Sequence, residues 1–503
     1  MKQKLLLSGK RIACLDIHSP SYLRAKDNVL GAGDIDDLYV LIDLAATAGF
    51  KMIQMIPIQD TGESVSPYMG VSAFSLNPIH LSIKRLNAGN YDGLVRSYRK
   101  MMTGKEDNLL EYRHLRDFKI KVLRHYYKEP GAKIKNFDKV DDNVLSYATF
   151  VVLKKHFGTS WSDWPVFFRR TDARGILRKY KSFHDEVRFE VFAQQTMLHQ
   201  WQELSRYAKH KGIIIGLDKP IYPIHDSADV WANQSLFYLN RDGSLKYKSG
   251  CNNPYDPFGE QTWGHAVYKF KEKPKEVIDF FCKSVKFMSQ ISKIIRIDHA
   301  LALVWKYYLI DAKKDTGKHV EALKDRILGR LIKEFPDVFF IAEDVGFVSE
   351  DVDRPLNKFG LPGIRTPQWS KHPRYAQIAD YPELCFAATS NHDLDSIHAW
   401  WKKLKHSQKY IYYKQMKDLY HEHKRRKKIR LSPEDATHRI TQLVFDSPAL
   451  IASTSIRDLA GDLRAYNKPG KINNTNWKLI CPQALEEINF SAIANVIKSS
   501  GRV

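Results

Sequence analysis

The chain has 503 residues, 43% hydrophobic and 12% aromatic, a length that suits one large barrel with insertions or about three ordinary domains. No stretch approaches the ~18 apolar residues of a membrane span, and the apolar N-terminal run breaks at Ser8-Gly9-Lys10, so neither a transmembrane protein nor a secretory leader is expected. A formal charge of +22, from 79 Lys+Arg against 57 Asp+Glu, raises nucleic acid as a partner. Its densest run, Lys424-Arg425-Arg426-Lys427-Lys428 with Arg430, follows Tyr410, Tyr412, Tyr413 and Tyr420, but reads as a solvated helix face because the other lysines are evenly spread. Five scattered cysteines (Cys14, Cys251, Cys282, Cys385, Cys481) with no C-x-x-C pair suit reduced thiols and a cytosolic setting.

Along the chain, short runs rich in Ile, Val and Phe recur at 11–16, 52–57, 212–218, 293–298, 338–343, 384–389 and 449–453. Each precedes a polar turn, as buried parallel strands do, and helices between them make βαβ units. The residues 189–210 predict one such helix, with Phe189, Phe192, Met197, Trp201, Leu204 and Ala208 near one face and Gly212 past its end. The charged, aromatic segments at about 87–181 and 402–438 carry no barrel-like strand and are expected to be helical insertions, the second of them basic. No repeat or low-complexity linker divides the chain, so residues 1–503 are expected to form a single catalytic unit.

Most of these strands end in a polar residue: Asp16, Asp218, Asp298, Glu343, and Thr389 followed by Asn391-His392-Asp393. In a (β/α)8 TIM barrel all strand ends converge on one mouth, where catalytic groups sit, so the pattern predicts an α/β fold of that kind. Asp298, Glu343 and Asp393 stand out. A single strand-end acid is often a helix cap; three in succession point to chemistry. Breaking an acetal with retained stereochemistry needs one carboxylate nucleophile and one carboxyl acid roughly 5 Å apart, a spacing that neighbouring barrel strands supply. Arg296 lies two residues before Asp298, on the same strand face, where its guanidinium is expected to hold Asp298 ionised. Glu343 ends the apolar run from Val338 to Ala342, whose burial favours a protonated acid. His392 and Asp393 suit sugar hydroxyls and positive charge at the anomeric carbon.

An ordered series of motifs resembles one family. It comprises Gly31-Ala32-Gly33-Asp34; Ile56-Pro57 with Ser66-Pro67-Tyr68 and Ser72-Ala73-Phe74-Ser75-Leu76-Asn77-Pro78; Asp218-Lys219-Pro220-Ile221-Tyr222; Asp226-Ser227-Ala228-Asp229-Val230-Trp231; and Gln261-Thr262-Trp263-Gly264. Further on come Arg296-Ile297-Asp298-His299, Ala342-Glu343-Asp344, Gly360-Leu361-Pro362-Gly363, His392-Asp393, Pro469-Gly470 and Asn476-Trp477. Over nearly its whole length the chain resembles the 4-α-glucanotransferases, or amylomaltases, relatives of the α-amylases. The resemblance implies a barrel with helical insertions that transfers α-1,4-glucan segments between malto-oligosaccharides through a covalent glycosyl-enzyme. It also implies Asp298 as nucleophile, Glu343 as acid and base, and Asp393 as transition-state stabiliser. Tyr68, Asp218, Gln261, Trp263, Arg296, His299, His392 and Asn476 become glucose-contacting candidates, their types matching the apolar faces and hydroxyl rims of sugar rings. Malto-oligosaccharides are the implied partners, and the chemistry asks for no metal or organic cofactor.

The chain departs from the family pattern at Glu63-Ser64-Val65, at Asn252-Asn253-Pro254-Tyr255-Asp256, at His265, at Ala300-Leu301-Ala302-Leu303 and at Leu394. These changes surround an intact acid triad. They leave two alternatives beside transfer: an α-glucan hydrolase of the same fold, and a glucan-binding protein without turnover.

Overall fold

The computed structural model describes residues 2–4, 9–86, 89–105, 108–129, 137–252, 259–344, 349–369, 377–416, 431–471 and 473–502. Among them run twelve strands: β1 (Ile12–Asp16), β2 (Met52–Met55), β3 (Ile214–Lys219), β4 (Tyr247–Cys251), β5 (Gln261–Ala266), β6 (Ile294–Ile297), β7 (Lys306–Asp311), β8 (Gly317–Glu321), β9 (Phe339–Ala342), β10 (Gly363–Arg365), β11 (Cys385–Ala388) and β12 (Ile451–Ser455). Eight of them close a parallel barrel in the order β1, β2, β3, β6, β9, β10, β11, β12. The seven runs that periodicity predicts all become barrel strands, with ends within two residues. The eighth, β10, is three residues long and follows Pro362, too short to show a periodic pattern.

Alternation along the strands builds two cores. Ile12, Cys14, Met52, Ile294, Phe339, Ile341, Ile364 and Phe386 fill the barrel interior. Ala13, Leu15, Ile53, Ile215, Leu217, Ile295, Ile297 and Phe340 face outward onto the helices. The predicted helix forms over His184–His210, five residues earlier than its apolar stripe suggests, and buries Phe189, Phe192, Met197, Trp201, Leu204 and Ala208.

The long β2–β3 connection carries helices Asp92–Met102, Tyr112–Tyr127 and Asp142–Phe157 before His184–His210. To these helical segments the structure adds an antiparallel sheet, β5-β4-β7-β8, lying between β3 and β9 in the chain. The basic run 424–430 and residues 253–256 lie outside the described residues. Within the second segment, about 402–438, the described residues form helix His406–Tyr413 and the start of helix Pro433–Asp446.

The Gly-x-Gly-Asp turn is structural. A side chain on Gly33 would strike the Pro20 and Leu23 carbonyls, and Asp34 caps helix Ile35–Ala48 through a capping box with Asp37. Asp34 also holds the buried Lys119 at 2.6 Å. All five cysteines are buried. No described helix is long and apolar enough to cross a membrane.

Candidate active site

The strand ends line a cleft of ≈ 470 Å³ at the carboxyl mouth of the barrel. Strand register explains how the acids arrive there. Ile297 on β6 pairs with Ala342 on β9, and Asp298 and Glu343 are the next residue on each strand. The Glu343 N–H donates to the Ile297 carbonyl at 2.9 Å, and the Asp298 N–H to the Lys219 carbonyl at 3.0 Å. Both acids lie on the interior face of their strands, two residues on from Arg296 and Ile341 respectively. His299 takes a left-handed φ of 42°, which turns its N–H onto Glu343 Oε2 at 3.0 Å. The segment carrying Asp298 thus clamps Glu343. Asp298 keeps 27% of its side chain exposed to the cleft, and Glu343 is buried at 6%.

Asp393 arrives from the turn after β11. Its Oδ1 accepts from Asn467 Nδ2 at 2.6 Å, and its Oδ2 lies 3.2 Å from His392 Nε2. Burial opposes the Asp393 charge, but His392 and Asn467 outweigh it and hold the carboxyl below its ordinary value. Burial likewise opposes charge on His392, and Asp393 reverses the balance and raises it.

Tyr68, Gln261, Trp263, Arg296, His299 and Asn476 line the same cleft. Trp263 stands edge-on to His299, ring centroids 4.7 Å apart, and its Nε1 donates to Gln261 Oε1 at 3.3 Å. Burial lowers the His299 imidazole to about 4, leaving it neutral. Asp218 and His392 instead line a smaller cavity beneath, which shares Arg296 and Asn391 with the cleft.

Several expectations need correction. Arg296 does not belong chiefly to Asp298. It makes its short ion pair with Asp218, its register partner on β3, and stands 3.8 Å from Asp298. Burial and the carboxylates of Asp218, Glu343 and Asp393 outweigh the guanidinium, so the Asp298 carboxyl is pushed well above its ordinary value. Asp218 is 1% exposed. Its Oδ2 accepts from Tyr68 at 2.6 Å and from Arg296, so it supports two cleft residues from below. The Asn476 side chain is committed to its own loop: Oδ1 accepts from the Lys468 N–H at 3.2 Å and Asn473 at 2.7 Å, and Nδ2 donates to the Lys471 carbonyl at 2.9 Å.

The altered segments have unequal consequences. Ala300, Leu301, Ala302 and Leu303 are at most 2% exposed and pack into the outer core, away from the cleft. Glu63 pairs with Arg113 at 2.7 Å on the exposed surface. Leu394 is buried at 8% exposure, and its carbonyl accepts from Arg457 Nη2 at 2.6 Å. His265 does line the cleft, and burial lowers it to about 4.

Three cleft residues escape the sequence reading. Asn467 lies between the noted motifs His392-Asp393 and Pro469-Gly470, but nothing in that spacing reveals its bond to Asp393. Trp477, noted only with Asn476, has a left-handed φ of 67°, rare for a bulky residue. Its ring packs 5.6 Å from Tyr68 and 5.7 Å from His392, centroid to centroid. Trp369, beside the strand that periodicity misses, completes the wall.

Comparison with known proteins gives one consistent picture. A glycoside hydrolase 77 family model, described as 4-alpha-glucanotransferase, matches residues 19–484. A 4-alpha-glucanotransferase of Aquifex aeolicus is 27% identical over 478 residues, covering 89% of this chain and 92% of the relative. One from Chlamydia pneumoniae is 27% identical over 503 residues, covering 94% and 92%. The fold matches that of an amylomaltase from Streptococcus agalactiae solved with acarbose, at a TM-score of 0.83 and 22% identity, over 98% of this chain and 100% of the other.

Proposed function

We propose that this chain, which belongs to the 4-alpha-glucanotransferase family, moves α-1,4-glucan segments between malto-oligosaccharides by a retaining double displacement. One observation carries the mechanism: Asp298 and Glu343 extend register-paired ends of neighbouring strands, with Asp393 held beside them by Asn467. Asp298 attacks the anomeric carbon of the donor while Glu343 gives its proton to the departing O4. A glycosyl ester on Asp298 results. The 4-hydroxyl of an acceptor then returns its proton to Glu343 as its oxygen displaces Asp298 from the anomeric carbon.

Crowded carboxylates cannot all be ionised in a buried site. The pressure on Asp298 from Asp218, Glu343 and Asp393 favours keeping one proton among these acids. Delivery to the departing O4 requires that proton on Glu343, with Asp298 ionised. Positive charge growing at the sugar then stabilises the remaining carboxylates. Tyr68, Trp263 and Trp477 offer ring faces to glucose, and Gln261, Arg296 and His299 offer donors and acceptors to hydroxyls. The single catalytic unit also includes the helical segments near 87–181 and 402–438 as decorations of the barrel. Five scattered, buried cysteines with no C-x-x-C pair support a cytosolic setting.

Incubation with maltotriose tests the reading. Transfer yields longer and shorter oligosaccharides together with glucose. Glucose and maltose alone, without longer products, mark a hydrolase, and tight binding with no products marks a binding protein.

A further inference from the structure

Beneath the cleft floor, the smaller cavity leaves two buried acceptors without donors. It lies inside the barrel mouth between Asp16, Gln54, Asp218, Arg296, Asn391 and His392 and encloses ≈ 20 Å³. Gly216 creates the room. Gln54 and Gly216 are register partners on β2 and β3, and a Cβ at residue 216 would stand 2.5 Å from Gln54 Oε1 and 2.7 Å from Met52 Cε.

The unpartnered acceptors are Gln54 Oε1 and Asp218 Oδ1, on residues only 4% and 1% exposed. A carboxylate and an amide oxygen cannot bond each other. Turning the Gln54 amide over does not help, because its Nε2 already donates to the Met55 carbonyl at 2.9 Å, which the oxygen would then face. Asp218 Oδ2 is served by Tyr68 and Arg296, so the deficit is confined to Oδ1. Across the cavity, Asn391 Oδ1 accepts the Asp393 N–H at 2.9 Å, leaving Nδ2 as a donor at the wall. A group with two donors and one accepting lone pair is missing. Water has both, and a buried water needs only about 10–15 Å³ of such space and typically makes about three hydrogen bonds.

We propose that one resident water fills this cavity, donating to Gln54 Oε1 and Asp218 Oδ1 and accepting from Asn391 Nδ2, and that Gln54 is thereby a positioning residue for Asp218. The kinetic consequence rests on the glucan-transfer reading; the water itself does not. Asp218 holds Tyr68 and Arg296 at the cleft floor, and it does so best when charged. Burial works against that charge, Arg296, Tyr68 and His392 favour it, and Asp16 on β1 opposes it. Asp298, the residue after β6, adds like charge close to the same carboxyl. A donor on Oδ1 adds to the side that keeps Asp218 ionised.

A high-resolution crystal structure of the full chain should contain one ordered water bonded to Gln54, Asp218 and Asn391. An empty cavity overturns the proposal. So does a direct bond between Gln54 Oε1 and Asp218 Oδ1, which would make a carboxyl proton the donor. With maltotriose, Gln54→Leu should lower kcat about tenfold, the worth of one hydrogen bond to a charged group. KM should stay within about twofold, since the bound sugar is not touched. Its acid limb should move to higher pH, because Asp218 protonates more easily and then releases Tyr68 and Arg296, contacts that an Asp218→Asn variant lacks at every pH. An unmoved acid limb overturns the positioning role. If the variant does not fold, the crystal structure of the unaltered chain still decides. Should the unaltered chain fail to act on maltotriose, the functional reading falls while the water remains open to direct observation.

Discussion

Asp298 and Glu343 are bound to each other through the backbone between them. The residue after Asp298, His299, donates its N–H to Glu343 Oε2 at 3.0 Å, and the Ala300 N–H donates to the Glu343 carbonyl at 2.8 Å. Neither acid can shift without disturbing the other, the rigidity that a two-carboxylate reaction requires. Asp298→Asn tests this arrangement. As nucleophile, Asp298 should account for a loss of about 10³-fold or more in kcat when changed to the amide.

The same substitution makes a stability prediction with a definite sign. The Asp298 carboxyl is raised in the folded chain by burial and by Asp218, with Glu343 and Asp393 adding to it. Between the ordinary Asp value and the raised one, the folded state therefore binds more protons than the unfolded state. Stability contributed by this group falls as pH rises through that window. Asp298→Asn should accordingly melt at or above the temperature of the unaltered chain at pH 7, and lose that advantage near pH 3. Thermal melts at the two pH values check it. A lower melting temperature at pH 7 would show that Asp298 is not under the pressure described.

A pH–rate profile reports the same crowding kinetically. Asp298 must be ionised to attack, so kcat/KM should fall on the acid side at a pH above the ordinary Asp value near 3.8. Asp218 is the neighbouring carboxylate that adds most to the rise. Asp218→Asn should move the acid limb to lower pH even as the rate drops through loss of the Arg296 and Tyr68 contacts. A limb that stays in place would separate Asp218 from the titration of Asp298.

The barrel and its acids were legible because both obey local rules. Buried parallel strands show as apolar runs, and catalytic groups follow their ends. Strand β10, at Gly363–Arg365, has no room for a run, and β8, reading Gly-Lys-His-Val-Glu, is too polar and exposed to announce a strand. What was not legible depends on neighbours across the sheet. That Arg296 serves Asp218 before Asp298 follows from the β3–β6 register, and the room beside Gln54 follows from the β2–β3 register. The altered segment Ala300-Leu301-Ala302-Leu303 looked threatening because it adjoins Asp298 in sequence. Its side chains in fact join the core.

Asn467 should prove a positioning residue for Asp393. It is the one side chain among the described residues that hydrogen-bonds Asp393 Oδ1, at 2.6 Å, and its own N–H donates to the His392 carbonyl at 3.1 Å. Asn467→Ala removes a bond to the charged form, so the Asp393 carboxyl should rise and kcat should fall by about tenfold or more. Asn467→Asp places a like charge against Asp393 and should be worse than Ala. Steady-state kinetics on maltotriose, with melting temperatures to confirm folding, decide the point; equal kcat for the two variants would count against a role exerted through charge.

The loop bearing Tyr68 depends on a buried ion pair well away from the cleft. The Asp60 side chain is fully buried and accepts from Arg116 Nη2 at 2.9 and 3.1 Å, from Tyr147 at 2.6 Å and from the Gly62 N–H at 3.0 Å. The Asp60 carbonyl in turn accepts the Val71 N–H at 2.8 Å, closing the loop on which Tyr68 sits. Arg116→Met would leave a buried carboxylate without its cation, which costs about 3–5 kcal/mol. The denaturation midpoint should fall accordingly, and KM for maltotriose should rise more than kcat falls, since Tyr68 is loosened while Asp298 and Glu343 keep their places. Restoring neutrality with Asp60→Asn in the same chain should recover part of the stability. An unchanged midpoint in the single variant would mean that the pair is not what fixes the loop.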